Sequence, residues 1–206
     1  DNNDFISSRE YYKNYLLLSP EVLSSDKYRI GVLNYMAGEY DRAETRLSEI
    51  AGLENVIGQS AAFQLGLVFI KKKDNDQAIK WLEKASLAGF DMGIKEKALY
   101  NFAILVNESS STSVGSKISV FQRFLEEFPS SNKANNIRGY LADAFLSIKD
   151  YKNALSVCNA IPNPDNRTIQ GKTQILFLLG IEEFEQNNFE NAVRYFTQSS
   201  KLAASI

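Results

Sequence analysis

Small and apolar residues recur along this chain at helical spacing. In four segments a glycine or alanine is followed twelve positions later by an alanine: Gly31 to Ala43, Gly66 to Ala78, Ala142 to Ala154 and Gly180 to Ala192. Ala103 opens a fifth copy, in which Lys117 takes the place of the alanine, so that successive copies begin 35, 37, 39 and 38 residues apart. Self-similarity at such a period predicts an array of helical units, each of which buries its apolar face against a neighbour.

Each copy is predicted to consist of two antiparallel helices. In the second copy Ala62, Leu65, Gly66 and Phe69 recur at helical spacing and form one apolar stripe. A glycine inside a helix costs about 1 kcal/mol relative to alanine. Gly66 therefore indicates a close approach of the partner helix, on which Ala78 is the matching small residue.

The segments between the helices are short and polar. Glu39, Asp74, Asp150 and Asn188 directly precede the second helices, where their side chains can accept hydrogen bonds from free backbone N–H groups. Pro129 is expected to end the helix before it. In the third copy a serine-rich segment, residues 107–117, is two residues longer than its sister turns and is expected to be a tolerant surface loop.

Composition narrows the class of protein. The 206 residues are 44% hydrophobic and carry a net charge of −2, so there is ample core material and no basic footprint for nucleic acid. The longest apolar run, residues 175–181, is far shorter than a transmembrane helix requires. The chain begins with Asp1 rather than Met and ends on apolar residues that still follow the helical pattern. These two features favour a segment of a longer protein.

The residue types needed for catalysis are mostly missing. There is no histidine, which excludes the commonest general base and most zinc sites, and Cys158 is the only cysteine. Cys158 is expected to be a small buried residue. The adjacent pairs Glu126–Glu127 and Glu182–Glu183 point in different directions on a helix and are expected on solvated faces. We therefore expect no enzymatic activity, no cofactor and no metal.

The repeated segments GVLNYMAGEYDRA, GLVFIKKKDNDQA, ADAFLSIKDYKNA and GIEEFEQNNFENA resemble the tetratricopeptide repeat. The resemblance implies an all-α, right-handed superhelical solenoid of antiparallel helix pairs, with about 11 helices. It implies a single array over residues 1–206, composed of a leading helix and five repeats: residues 1–23, then 24–58, 59–93, 94–131, 133–165 and 167–206.

In this family the first helices line an inner, concave face. Carried onto this chain, the positions on that face are aromatic and aliphatic: Tyr28, Val32, Tyr35, Phe63, Leu67, Tyr100, Ile104, Phe177 and Ile181. We call these nine residues the candidate groove; Ile70, Asp143, Leu146 and Phe184 belong to the same face. The candidate groove is interpreted as a site for an apolar segment of a partner protein. The alternative is that these side chains pack on one another as core.

The family resemblance implies a protein-interaction scaffold with a protein or peptide partner. Residues 121–131 also resemble repeats of bacterial envelope proteins, namely the outer-membrane barrel-assembly lipoprotein and the Tol-Pal-associated repeat protein. That second resemblance implies a role in cell-envelope assembly and a periplasmic or outer-membrane-associated location, with a cytoplasmic location left open. The alternative function is a docking or spacer module of a larger protein whose catalytic or effector domain lies elsewhere.

Overall fold

A computed structural model describes residues 22–204 of the chain, together with residues 7, 10, 11, 14 and 15. Residues 22–204 contain ten α-helices and no β-strand, which confirms the predicted all-α class. The helices in chain order are α1 (Ser24–Met36), α2 (Tyr40–Ser48), α3 (Val56–Lys72), α4 (Asn75–Leu87), α5 (Met92–Glu108), α6 (Val114–Glu127), α7 (Ala134–Ser147), α8 (Tyr151–Asn159), α9 (Asn166–Glu185) and α10 (Phe189–Ala203). The predicted leading helix, residues 1–23, lies largely outside the described residues.

The chain divides into two compact units, an N-terminal unit of residues 1–105 and a C-terminal unit of residues 106–206. In the N-terminal unit α1 packs on α2 and α3 on α4, while α3 also contacts α1 and α2. In the C-terminal unit each helix from α6 to α9 packs on the next one in the chain. No helix in the described ranges is both long and apolar enough to cross a bilayer. The five repeat boundaries stay predictions.

The two helices of a pair approach most closely at the repeated glycine. A Cβ atom added to Gly66 would lie 2.5 Å from the Cγ atom of Leu82, and one added to Gly31 would lie 2.6 Å from the Cγ atom of Leu47. Gly180 has the same relation to Phe196, at 2.5 Å from its Cε1 atom. The predicted close approach is therefore confirmed. The side chain that fills the space stands sixteen residues after the glycine, four beyond the repeated alanine.

In the fourth copy different residues occupy the two positions that are equivalent to the glycine and the large side chain. Its small residue is Ala142 rather than glycine, and the residue sixteen positions later is Cys158 rather than a leucine or phenylalanine. Both are buried and both line one cleft of the C-terminal unit, and Cys158 is 6% exposed. The smaller cysteine leaves room for the methyl group of the alanine. The prediction that Cys158 is a small buried residue is confirmed.

A left-handed residue ends the first helix of four pairs. The φ angle is +77° at Gly38, +61° at Lys73 and Lys149, and +62° at Asn187. At each of these turns the left-handed residue and its successor donate their backbone N–H groups to carbonyl oxygens of the last helical turn. These hydrogen bonds satisfy carbonyls that a helix end would otherwise leave unpaired. The same left-handed conformation with its two hydrogen bonds thus reverses the chain direction in copies of different sequence.

The predicted caps of the second helices form at only two of the four positions. The Asp74 carboxylate accepts a hydrogen bond from the Gln77 N–H at 3.1 Å, and Asp150 caps α8 in the same way. The predictions for Glu39 and Asn188 are wrong, because neither side chain caps its helix. Glu39 instead accepts a hydrogen bond from Arg42 at 3.1 Å, since its side chain is one methylene longer than aspartate.

The serine-rich insertion is shorter than predicted. α5 continues to Glu108 and α6 begins at Val114, so only residues 109–113 lie outside the helices rather than residues 107–117. Lys117 lies in α6, where its Nζ atom donates to the Asn107 carbonyl oxygen at 2.8 Å. The third copy thus fills its exceptional position with a lysine because the charged end can reach a free carbonyl at the end of α5. As predicted, α6 ends just before Pro129.

Glu183 does not lie on a solvated face. It stands three residues after Gly180, where the corresponding residues of other copies are the buried Phe69 and Phe145, and it is 6% exposed. Its carboxylate accepts a hydrogen bond from the Asn191 amide at 3.3 Å and lies 3.8 Å from the Lys152 ammonium. The prediction was wrong because the helix places this position in the core, where the carboxylate finds polar partners.

Gln59 fastens the connection between α4 and α5 to α3. Its side chain is 2% exposed. The amide nitrogen donates to the carbonyl oxygens of Ala85, Ala88 and Asp91 at 3.2, 3.0 and 3.1 Å. The amide oxygen accepts from the Asp91 N–H at 2.7 Å. One buried side chain therefore pairs with backbone groups of Ala85, Ala88 and Asp91.

The close helix contact predicts opposite effects for two glycine substitutions. Gly66→Leu should lower the free energy of unfolding by about 1–3 kcal/mol or more, because the new side chain collides with Leu82. Gly139, inside α7, would meet nothing within 4 Å, so Gly139→Ala should raise the free energy of unfolding by about 0.5–1 kcal/mol. Urea unfolding followed by circular dichroism measures both. Equal effects of the two substitutions would contradict this account of the packing.

The Gln59 hydrogen bonds predict a loss on removal. Gln59→Leu should destabilise the protein by about 1–3 kcal/mol, because it leaves buried backbone groups of the α4–α5 connection unpaired. The matched control is Gln64→Leu on the same helix, a buried glutamine whose side chain makes no hydrogen bond with the described residues. Thermal melts of both variants measure the two losses of stability. If Gln64→Leu destabilises the protein as much as Gln59→Leu does, the loss comes from the change in side-chain shape and not from the hydrogen bonds.

Candidate functional site

The candidate groove is divided between the two units. Seven of its nine residues lie in the N-terminal unit, on the first helix of each pair: Tyr28, Val32 and Tyr35 on α1, Phe63 and Leu67 on α3, and Tyr100 and Ile104 on α5. Phe177 and Ile181 lie on α9 of the C-terminal unit. The two sets are therefore considered one at a time.

The seven residues of the N-terminal unit are all partly accessible to solvent. Their immediate neighbours on the same helices, such as Ile30, Leu65 and Ala103, are buried. Each first helix thus turns one face to the core and sets its aromatic and aliphatic residues on another face. The extra position on α3, Ile70, is also partly accessible.

Tyr28 connects two of these helices. Burial raises the pKa of the Tyr28 phenol above its ordinary value of 10.0, and the nearby Ser60 hydroxyl on α3 opposes part of the rise. Tyr35, on the other end of α1, places its ring 5.9 Å from the ring of Tyr40. Tyr28 therefore lies near the next first helix, and Tyr35 contacts Tyr40 across the turn.

The aromatic residues of the C-terminal unit are more exposed. Phe177 is 51% exposed although its ring centroid lies 5.5 Å from that of Phe196. Phe184, two turns further along α9, is 56% exposed and contacts Phe189 edge-on at 5.4 Å. Ile181, which lies between these two residues in the sequence, is partly buried. Together they leave an apolar strip along α9 accessible to solvent.

A cleft of about 330 Å³ opens in the C-terminal unit beside the same helices. We call it the α7–α9 cleft. Its walls are residues of α7, the first half of α9 and the end of α8: Asn135, Asn136, Gly139, Tyr140, Ala142, Asp143, Leu146, Cys158, Ile161, Asp165, Arg167, Thr168, Gly171 and Ile175. Sequence reasoning placed Asp143 and Leu146 on the inner face and missed the cleft. The available signal was Gly139 and Gly171, two helical glycines outside the twelve-residue pattern.

Two opposite charges face the α7–α9 cleft. Asp143 is solvent-exposed as a residue, yet the cleft walls desolvate its carboxyl and raise its pKa, while the positive charge of Arg167 opposes the rise. The two side chains influence each other without forming an ion pair within 4.0 Å. Asp165 caps α9 through a hydrogen bond from the Thr168 N–H at 2.8 Å. The Thr168 side chain and then this N–H lower the pKa of the Asp165 carboxyl.

Cys158 lines the α7–α9 cleft without being poised for reaction. Burial raises the pKa of its thiol, the negative charge of Asp143 raises it further, and Lys172 opposes the shift. The thiol is the weakly nucleophilic form of cysteine, so these surroundings suppress its reactivity. Over the part of the chain that the structure describes, no three His, Cys, Asp or Glu residues are grouped so as to hold a metal ion.

Comparison with known proteins identifies the helical unit. Residues 60–87, which cover most of α3 and all of α4, match the family model of the tetratricopeptide repeat. No curated protein shows a significant sequence match to the chain. The match therefore rests on one repeat and on the fold.

Several solved structures share the fold over nearly the whole chain. YrrB, described as a TPR protein with an unusual peptide-binding site, is 15% identical with a TM-score of 0.55, over 96% of this chain and 91% of its own. BtubC from P. vanneervenii is 14% identical with a TM-score of 0.54, over 98% and 89%. MamA from AMB-1 is 14% identical with a TM-score of 0.52, over 89% and 93%. They confirm the predicted tetratricopeptide-repeat fold.

The buried phenol predicts a pH effect at Tyr28. Folded Tyr28 holds its proton more tightly than unfolded tyrosine, so its stabilising contribution is full below pH 10.0 and is lost as the pH rises through the higher pKa of the folded state. Tyr28→Phe removes this proton equilibrium. Above pH 10 its stability should fall less steeply than that of the native protein.

The measurement is urea unfolding at a series of alkaline pH values. Tyr195→Phe on α10 makes the same chemical change in the C-terminal unit and serves as the control. A native protein and a Tyr28→Phe variant that lose stability in parallel with rising pH would refute the assignment.

Proposed function

This chain contains a tetratricopeptide repeat at residues 60–87, in a fold that tetratricopeptide-repeat proteins share, and we propose that it is a scaffold that binds an apolar segment of a partner protein in the candidate groove. Tetratricopeptide-repeat proteins generally serve as protein-interaction scaffolds and bind protein or peptide partners. The peptide-binding site of YrrB is a precedent for such binding on the same fold. The proposal assigns the binding energy to the aromatic residues of the first helices.

The observation that carries the proposal is the partial exposure of the seven apolar residues in the N-terminal unit. Water-accessible apolar patches of this kind typify surfaces that bind another molecule. Aromatic side chains bury a large area at low entropic cost, so a few of them can supply most of the affinity for a peptide. Phe63 and Tyr100 occupy equivalent aromatic positions, since each stands three residues before the small residue of its copy.

The competing account is inward packing of the same residues. It is favoured at one position, because the Tyr28 phenol is partly buried next to Ser60. No side-chain hydrogen bond is described for the other candidate-groove residues of α1, α3 and α5. Tyr100 is the exception, since it has further contacts. We therefore propose that Tyr28 forms a wall of the groove and keeps its position when a ligand binds.

The proposal has two further parts. Phe177 and Ile181 extend it to the C-terminal unit, where the exposed apolar strip on α9 has the same chemistry. Work in bacterial cell-envelope assembly is proposed from the resemblance of residues 121–131 to repeats of envelope proteins. Enzymatic activity is not part of the proposal, because the only cysteine is buried and histidine is missing from the sequence.

The double substitution Phe63→Ser with Tyr100→Ser tests the groove. If these residues contact a ligand, the free energy of unfolding should change by no more than about 1 kcal/mol while partner capture is lost. If they are core, the loss should reach several kcal/mol, about 3–5 for each large side chain removed. Thermal melts give the first quantity, and affinity capture by the tagged full chain with mass spectrometry gives the second.

The control is Phe90→Ser with Met92→Ser in the same unit. Both side chains are apolar and about half exposed, at 50% and 53%, and both lie outside the candidate groove. This variant should retain every partner that the native chain captures. A stable Phe63/Tyr100 variant that captures the same partners as the native chain would eliminate the groove.

A further inference from the structure

Exposed apolar side chains gather at the connections between helix pairs of the N-terminal unit. Five of them form what we call the connection patch: Leu53 and Val56 at the α2–α3 connection, and Leu87, Phe90 and Met92 at the α4–α5 connection. Leu53 and Phe90 line one opening of about 250 Å³, so the two connections lie side by side. At the corresponding connections of the C-terminal unit, residues 128–133 and 160–165, no leucine, valine, isoleucine, phenylalanine or methionine is exposed. The repeat fold itself therefore does not require this patch.

Both connections are fixed against α3. A Cβ atom on Gly58 would collide with the Leu53 carbonyl oxygen, so the α2–α3 connection rests on the helix backbone there. The α4–α5 connection is held by the hydrogen bonds of the buried Gln59 side chain. The exposed apolar side chains therefore stand on backbone that is already ordered, which lowers the entropic cost of binding another rigid surface.

Two charges of opposite sign lie at the same opening. Lys84 on α4 and Glu54 in the α2–α3 connection both line it. Neither side chain makes a hydrogen bond or an ion pair with a described residue, although the Lys84 ammonium lies 5.2 Å from the centre of the Trp81 ring. A surface that carries both signs on two different elements is complementary to itself after a half-turn, because each charge then meets its opposite on a second copy.

The two connections also repeat one another in sequence. Residues 51–54 read Ala-Gly-Leu-Glu, and residues 88–91 read Ala-Gly-Phe-Asp. Gly52 and Gly89 are exposed, and a Cβ atom on either would meet nothing within 4 Å, so the bare backbone leaves room for a neighbouring molecule. A two-fold axis can therefore pair the connections crosswise, with the first connection of each copy on the second connection of the other.

We propose that the connection patch is the interface of a two-fold symmetric dimer of this chain. The apolar side chains of one copy pack on those of the other, and Lys84 of each copy pairs with Glu54 of its counterpart. Five side chains of this size, 40–66% exposed, present on the order of 500 Å² of surface, which is close to the apolar share of the roughly 800 Å² that each partner contributes to a standard interface. The patch contains no residue of the candidate groove, so the dimer does not rest on the proposed function.

A second copy fits the patch better than a lipid surface does. Segments that lie in a bilayer interface combine apolar residues with lysine and arginine, which are attracted to anionic lipids. In the connection patch the acidic residues Glu54 and Asp91 directly follow Leu53 and Phe90. Carboxylates among the apolar side chains oppose insertion into lipid, whereas at a protein interface a lysine of the second copy can pair with them.

Sedimentation equilibrium of the full chain over a range of concentrations tests the dimer. The native chain should associate reversibly to twice its mass, with a dissociation constant below about 100 µM. Phe90→Ser with Met92→Ser should raise that constant at least about tenfold, because it removes four apolar side chains from the symmetric interface. Met36→Ser is the control, since it changes a side chain 65% exposed at the end of α1, outside the patch, and should leave the constant unaltered.

Charge reversal is the sharper arm of the test. Lys84→Glu and Glu54→Lys should each raise the dissociation constant about tenfold, because two pairs of like charge then face each other across the axis. An equimolar mixture of the two variants should form a heterodimer as tightly as the native chain dimerises, since every facing pair is again of opposite sign. The chain that carries both changes should also dimerise normally. Lys71→Glu, at the other end of α3, should change nothing.

Three results would overturn the proposal: a chain that stays monomeric at about 1 mM, a dimer that Phe90→Ser/Met92→Ser leaves intact, and charge-reversed variants that associate no better mixed than alone. A monomeric chain that floats with phosphatidylcholine vesicles through the same apolar side chains would assign the patch to lipid instead. The groove is tested separately. The Phe63→Ser/Tyr100→Ser variant should dimerise as the native chain does, and the Phe90→Ser/Met92→Ser variant should keep the other proteins that the groove binds.

Discussion

The contact between a glycine of one helix and a large side chain of its partner is the constraint on which the rest of each pair depends. At Gly31, Gly66 and Gly180 there is no space for even one additional carbon atom. The helices approach until Leu47, Leu82 or Phe196 rests on the bare backbone, and the alanines of the second helices are buried beside that contact. Where the first residue is Ala142, the partner shrinks to Cys158.

The turns between paired helices share one backbone conformation. Gly38, Lys73, Lys149 and Asn187 share a left-handed conformation although only one is glycine. The conformation is unfavourable for lysine, and it is retained because two backbone hydrogen bonds close the helix end there. Helix pairing therefore does not depend on a fixed turn residue. This explains how copies of low mutual similarity keep one geometry.

The fourth copy has a different surface chemistry from the other copies on an equivalent helix. In the N-terminal unit the positions three before and one after the small residue are aromatic or aliphatic, as Phe63 and Leu67 show. In the fourth copy the same positions are Gly139 and Asp143, which open a polar cleft instead of filling it. A repeated scaffold can thus carry unlike recognition chemistry, because these positions do not contribute to the contact that holds a pair together.

The sequence by itself determined the all-α class, the pairing of helices and the burial of Cys158, because all of these follow from local periodicity and from the size of single residues. It misjudged Glu183, the caps at Glu39 and Asn188, and the extent of the serine-rich segment, and it did not reveal the Gln59 hydrogen bonds. Each of these depends on which atoms a distant segment brings near. The same holds for the α7–α9 cleft, whose walls come from separate helices, so only the tertiary structure places Asp143 and Arg167 on one opening.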